Sequence, residues 1–334
     1  MVLQGDTLWI GSLNGLYTYQ LKSRQLNHFD SKQTGLPHNT IYSVIQTKDN
    51  QIYIGTYNGL CRYVQASGKF ENILLPVNRG GSNLFVNSLL EDTTRQCIWI
   101  GMEGYLFQYN PTTGEMKAIE VFHNNSIKSL ALDGDENLLA GTDNGLYVYQ
   151  NDKEPLQHII HDSRNIQSLT NNIIWNIFSD QEHNIWLGTD YGISLSRYNS
   201  ALQFVPISQI TGTGDGNQFY CLFRDSKGFY WFGGTNGVIR FTHPAGNKHD
   251  AIWYRMGDKN HPLSHNRIRH IYEDREQQLW IATDGSINRY DYNTHQFVHY
   301  NIVDSTGTYN TNWAYYLFED TDGKLWIATC LVGI

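Results

Sequence analysis

The chain has 334 residues, a net charge of −8, 17% charged and 13% aromatic residues, and 30 glycines against 7 prolines. So few charges beside so many aromatic side chains exclude disorder, coiled coil and collagen, and the negative excess excludes general electrostatic attachment to a nucleic-acid backbone. No run approaches the ~20 apolar residues that cross a bilayer, and MVLQGDTLWIG lacks the basic flank and apolar core of a secretory leader, so no membrane contact is expected within this segment.

One phrase recurs eight times in chain order. It reads LWIGSLNGL around Trp9, IYIGTYNGL around Tyr53, IWIGMEGYL around Trp99, LLAGTDNGL around Leu139 and IWLGTDYGI around Trp186, then YWFGGTNGV, LWIATDGSI and LWIATCLVGI around Trp231, Trp280 and Trp326. The anchor positions advance by 40 to 49 residues, a period that suits a four-stranded propeller blade. Within one period, NIIWNIFSD from Asn172 predicts a strand and QEHN a turn. IWLGT predicts a second strand, ISLSRYN a third after the Asp190-Tyr191-Gly192 turn, and QFVPI a short fourth. No helical periodicity competes.

These elements predict an all-β fold: a seven-bladed β-propeller of four-stranded antiparallel blades. A sheet this small and apolar on both faces has to stack on its neighbours. The chain opens at the second strand of one repeat, with only Val2 and Leu3 left of the first, so Thr311 to Glu319 is expected to supply the innermost strand of the blade begun at Leu8, closing the ring as a C-terminal clasp. The strand at Trp326 is then surplus. The expected domains are a propeller over 1–320 and, over 321–334, a strand leading into a following segment.

The repeats can be compared with one another. Asn39, Leu84, Asn125, Asn172, Asn217, Asn266 and Asn312 form one column, and a short amide that bonds its own backbone and tolerates positive φ suits the entry to an inner strand. Ile41, Val86, Ile127, Ile174, Phe219, Ile268 and Ala314 form an apolar column, as do Val44, Leu89, Leu130, Ile177, Leu222, Ile271 and Leu317. Both are expected in the core with the anchor tryptophans.

Two columns do not repeat. Thr40, Phe85, Ser126, Ile173, Gln218, Arg267 and Trp313 make one; Tyr42, Asn87, Lys128, Trp175, Tyr220, Arg269 and Tyr315 make the other. Scaffolding should repeat when the blade repeats, so these positions are expected on the rim of the central channel. The turn after the second strand adds Tyr57, Asn58, Glu103, Asp143, Asp190, Tyr191 and Asp284. A rim rich in Trp, Tyr, Asn and Arg suits a small polar ligand with flat apolar faces, such as a sugar. The candidate ligand-binding residues are Tyr42, Tyr57, Trp175, Tyr191, Tyr220, Arg267, Arg269 and Trp313. Trp175 and Trp313 are candidate stacking platforms. Arg267 and Arg269, on one strand, are expected to project in different directions, one of them toward a ligand carboxylate or sulfate.

No catalytic, cofactor or metal motif is present. His265 and His270 are five apart on a strand, off the helical zinc spacing. Cys61, Cys97, Cys221 and Cys330 are scattered, defining neither a zinc site nor a disulfide framework. Asp180, Asp225, Asp274 and Asp320 recur once per repeat and are expected to shape turns, since four separated carboxylates cannot converge on one reacting atom.

NNIIWNIFSDQEHNIWLGTDYGISLSRYN and HNRIRHIYEDREQQLWIATDGSINRYD resemble the two-component regulator propeller repeat: an inner strand ending in Asp, LWIGT, then GL and an aromatic strand. The entries TGLPHNTI and HPLSHNRI also resemble that family. The resemblance implies the periplasmic sensor region of a hybrid two-component regulator of gut Bacteroidetes that detects glycan fragments. It further implies neighbouring domains of the same chain, among them a membrane helix and a histidine kinase beyond this segment, and allows for a homodimer of the full-length protein. The expected partner is therefore an oligosaccharide or other small polar ligand, with no cofactor and no catalysis within the segment. The alternatives are a protein-binding scaffold propeller and a propeller-fold polysaccharide lyase or glycosidase.

Overall fold

The structure, a computed structural model, describes residues 1–77, 84–119, 125–151, 156–165, 167–198, 204–206, 218–242, 251–260, 262–303 and 312–329. Every regular element among them is a β-strand. The strands form seven four-stranded sheets and one two-stranded sheet. The chain divides into two compact units, Met1–His158 and Ile159–Ile334, the first built on sheets one to four and the second on sheets five to eight.

The fifth sheet follows the expected order, with Ile174–Ser179 leading, then Ile185–Thr189, Gly192–Ser196 and Phe204–Pro206. Its first three pairings are antiparallel hairpins. Second strands such as Ile52–Thr56 and Ile185–Thr189 are buried throughout, whereas the fourth strand of the first sheet, Gln25–Phe29, is mostly exposed. A strand covered on both faces reads as a continuous apolar run rather than an alternating one. The core therefore lies between successive sheets. The first apolar column is buried throughout (Ile41, Val86, Ile127, Ile174, Phe219, Ile268 and Ala314), whereas in the second Leu89, Ile271 and Leu317 are buried and Val44, Leu130, Ile177 and Leu222 half-buried.

Gly233 shows why the recurrent phrase keeps a glycine. A Cβ added there would lie 2.8 Å from Ile268 Cβ and 3.3 Å from Ile271 Cδ1 of the next sheet. Ile268 and Ile271 are three apart yet meet one residue because their strand carries a bulge: Ile268 pairs with Thr283 and His270 with Ala282, so Arg269 is an extra residue. In the seventh sheet the glycine position is Ala282, and the facing column residue shrinks to Ala314; the two share one buried cluster.

Trp9, Trp99, Trp186 and Trp231 are buried, as expected, while Trp280 and Trp326 are half-buried, and each indole N–H needs an acceptor. Nε1 of Trp186, Trp231 and Trp326 donates to Oδ2 of Asp180, Asp225 and Asp320 at 2.8 Å each. Trp99 and Trp280 bond Asp92 and Asp274 at 3.0 and 2.7 Å. The opposite oxygen of the carboxylate caps the turn, Asp180 Oδ1 accepting the N–H of Glu182 and of Asn184. The repeated carboxylates are thus structural, and they hold the indoles as well as the turns. Burial pushes the Asp92 carboxyl up, but bonds from Trp99, the Arg95 N–H and the Arg95 guanidinium outweigh it and leave it below the usual carboxylate range.

The asparagine column works over a longer range than expected. None of its described asparagines has positive φ. Instead Oδ1 of Asn39, Asn172, Asn266 and Asn312 accepts the N–H of Ser31, His161, Met256 and Ile302, eight to eleven residues earlier, at 2.6–3.0 Å. In these four repeats the side chain ties the sheet entry to the segment before it, whereas Asn125 donates to the Tyr147 hydroxyl at 2.7 Å. The backbone carbonyls of Asn39 and Asn266 accept the N–H of Gly15 and Gly237 in the preceding sheet's turn. Asn217 lies outside the described residues.

Two expectations about the chain ends are corrected. Val2–Gln4 is a three-residue leading strand, registered on Thr7–Trp9 across a two-residue turn with Gly5 at φ +57°. The clasp assigned to Thr311–Glu319 does not form: Ala314–Glu319 pairs with Leu325–Thr329, and the edge it was to fill beside Thr7–Ser12 is occupied by Val2–Gln4. A short strand suffices there because the turn holds it in register. The strand at Trp326 is accordingly a paired strand, and the boundary expected at 320 falls in its hairpin turn. Thr311 lies outside the described residues.

Candidate functional site

Two local devices place the non-repeating side chains. First, the backbone carbonyl of the first variable column accepts the N–H just past the second strand: Tyr57 to Thr40 at 2.9 Å, Asp190 to Ile173 at 2.9 Å, Asp284 to Arg267 at 3.2 Å. That bond brings the strand entry and the following turn together. Second, the second variable column is the bulge. Register skips Tyr42, Lys128, Trp175, Tyr220, Arg269 and Tyr315, and Asn87 lies at the corresponding shift. A bulged residue leaves the ladder and is re-aimed, which frees its identity from the constraints on its neighbours. No residue of either variable column is buried, although the apolar residue between them is buried in all seven repeats.

In the first unit, Tyr42 and Tyr57 lie together, ring centroids 6.5 Å apart. Phe85 completes the patch, edge-on to Tyr57 at 4.2 Å, and His38 lies 4.8 Å from Tyr57. Tyr42 is 46% exposed. His38 was overlooked, though the signal exists: it and His265 share a position in the LPHN and LSHN entries. In both, Nδ1 accepts the N–H two residues on, from Thr40 and Arg267, at 3.0 Å.

In the second unit, Trp175 and Tyr220 meet at 5.8 Å with rings 76° apart. Trp175 Nε1 and Gln218 Nε2 both donate to Asp190 Oδ1, at 2.9 and 2.8 Å, and the Tyr220 hydroxyl donates to Gln218 Oε1 at 2.5 Å. Gln218, absent from the expected set, organises that group. Arg269 grips Asp284 with Nε and Nη2 at 2.6 and 3.0 Å and lies 4.5 Å over the Tyr315 ring. Burial acts against the charge of Arg269, and the bonds and charge of Asp284 outweigh it, raising its pKa. Arg267 Nε is 4.0 Å from Asp284 Oδ2. The two arginines therefore converge on one carboxylate, because the bulge breaks the strand's alternation and re-aims Arg269 while the Arg267 carbonyl holds the Asp284 turn beside it, and they do not project in different directions as expected. Tyr191 and Trp313 are 59% and 45% exposed.

The arrangement can stack on flat apolar faces and exchange hydrogen bonds. Among the described residues no group of three His, Cys, Asp or Glu side chains gathers to hold a metal. Cys61, Cys97 and Cys221 are buried free thiols; Cys330 lies outside the described residues. His265 and His270 serve different partners. His270 Nδ1 accepts the Leu317 N–H at 3.2 Å and its ring stacks on Tyr316 at 3.9 Å. Burial lowers the pKa of His270 to about 4 from an ordinary 6.5. The unfolded chain then binds the proton more tightly, so the stabilisation is complete above pH 6.5 and is lost as pH falls toward 4. By pH 5 the expected loss is about 2 kcal/mol. Urea melts at pH 7.5 and 5 check this, and His270→Gln should remove that share of the pH dependence.

Five stretches, residues 35–58, 168–191, 213–236, 262–285 and 308–330, match the family described as two component regulator propeller. Those five stretches carry two-component regulator propeller repeats. Over 98% of its length it is 82% identical, with a TM-score of 0.57, to the extracellular domain of a hybrid two-component system from B. thetaiotaomicron, covering 44% of that chain. It is 25% identical over 310 residues to Histidine kinase P4 of Formosa agariphila, which is 84% of this chain and 21% of the kinase. These propeller repeats thus span less than half of either relative. Virginiamycin B lyase from Staphylococcus aureus shares the fold at 13% identity and a TM-score of 0.56, over 86% of this chain and 91% of the lyase.

Proposed function

We propose that the chain is the ligand-sensing part of the extracytoplasmic region of a hybrid two-component regulator, that its seven complete sheets are the blades of a ring, and that its signal is an oligosaccharide. The observation that carries the reading is the bulge. In a scaffold repeated at the core, the seven bulged positions hold five different residue types, all partly exposed, and four of the seven are Trp or Tyr. Likeness to an extracellular domain of a hybrid two-component system supports the location and the signalling context. Signalling then requires the ligand to prefer one arrangement of this region relative to its neighbours, since a ligand with equal affinity for both shifts nothing.

Calorimetry of the full extracellular region against charged and neutral oligosaccharides is the test. Binding without turnover is expected. Tyr42→Ala and Trp313→Ala should each weaken it about tenfold, the value of a lost stacking face of about 1.4 kcal/mol. Turnover of a bound sugar would favour a lyase or glycosidase, and silence across the panel a protein-binding scaffold.

A further inference from the structure

We infer that the Arg267–Asp284–Arg269 group of the second unit is an anion-recognition point, taking an oxyanion carried by a sugar, either a uronate carboxylate or a sulfate ester. This rests on the sugar-sensing reading above and adds the class of ligand. The argument is one of unequal sharing. Asp284, with its side chain 10% exposed, gives both oxygens to Arg269, whose side chain is 19% exposed. Arg267 reaches the same carboxylate only by Nε at 4.0 Å, beyond hydrogen-bonding distance, and its side chain is 45% exposed. A guanidinium carries five donors in a planar fork that fits carboxylates and sulfates. Both oxygens of Asp284 are thus engaged by Arg269, while the Arg267 side chain is nearly half exposed.

The surroundings fit a sugar better than a bare ion. Tyr315 lies under Arg269, and Trp313 and Tyr315, at the two variable positions of the following repeat, are 45% and 39% exposed. Charge on a pyranose ring beside an aromatic face is the pairing such a surface recognises. Because the chain as a whole carries −8, long-range attraction of an anion is absent and recognition has to be local.

The test uses the full extracellular region and matched probes. One pair is tetragalacturonate and its carboxyl-reduced form; the other is a sulfated chondroitin tetrasaccharide and its desulfated form. Inorganic sulfate is titrated against sodium chloride at equal ionic strength as a probe of the anion point alone. Expected are tighter binding of the charged member of one pair, which also tells carboxylate from sulfate, and an approximately tenfold loss in Arg267→Gln. Asp284→Asn, which removes the internal competitor, should strengthen anion binding if thermal unfolding shows the fold intact. Arg267→Gln sits at an exposed site and keeps the test open if Asp284→Asn unfolds. Equal affinity for both members of each pair, unchanged in Arg267→Gln, overturns this inference and leaves the sugar reading standing. Stabilisation by sulfate that depends on Arg267, with no sugar bound, upholds the anion point and overturns the sugar. No response to any probe overturns both.

Discussion

Gly233→Ala is expected to lower the unfolding free energy by about 3 kcal/mol, the upper range for forcing a methyl into a filled core. The new carbon would press on Ile268 and Ile271, buried branched side chains with no free volume to move into. The chain already holds the compensated version of the same contact in Ala282 and Ala314. The double variant Gly233→Ala/Ile268→Ala should therefore be more stable than the sum of its single variants by at least 1 kcal/mol, a coupling of the size seen between touching residues. Gly188→Ala supplies the contrast. Its Cβ would lie 2.6 Å from the backbone oxygen of Phe219, which no side-chain truncation removes, so Phe219→Ala should add to the damage. Equilibrium denaturation of the four single and two double variants checks the pattern, and rescue of Gly188→Ala by Phe219→Ala would break the account.

Asp225→Asn is expected to destabilise by about 3 kcal/mol, from buried donors left facing an amide. Asp225 is 4% exposed. Its Oδ1 accepts the Phe229 N–H at 2.8 Å, and Oδ2 accepts Trp231 Nε1 at 2.8 Å and the Tyr292 hydroxyl at 2.7 Å. An amide presents only one accepting oxygen, so either the turn or the two aromatic donors lose their partner. Tyr292 belongs to the next sheet, so the loss also loosens the joint between sheets six and seven. Asp133→Asn is the control. Leu139 stands where the indole would be, and the group at Asp133 is confined to its own turn, with bonds from Asp135 and Asn137. It should cost about 1 kcal/mol. Equal losses at Asp225 and Asp133 in denaturant melts would show that the carboxylate serves the turn alone.

Much of this was legible in the residues because a repeat writes its own alignment. The period, the four strands and the two apolar columns followed from the phrase around Trp9 and its successors. The same comparison separated Tyr42 or Trp175, which vary, from Ile41 or Ile174, which do not. It also showed that Asp180 and its counterparts were structural. It did not show that they hold indoles, because the carboxylate and the tryptophan lie six or seven residues apart on opposite sides of a turn.

The chain by itself determined the all-β class, the repeat length and the split between shared core and variable positions, since these depend on periodicity and local turn chemistry. Only the tertiary structure decided that one variable column is a line of bulges, that Arg267 and Arg269 meet at Asp284, and that Ala314–Glu319 pairs with Leu325–Thr329 rather than with the first sheet. The reason is common to all three. A bulge, a shared counter-ion and a strand's choice of partner depend on which backbone edge or charge is already occupied nearby, and occupancy is a property of neighbours in space.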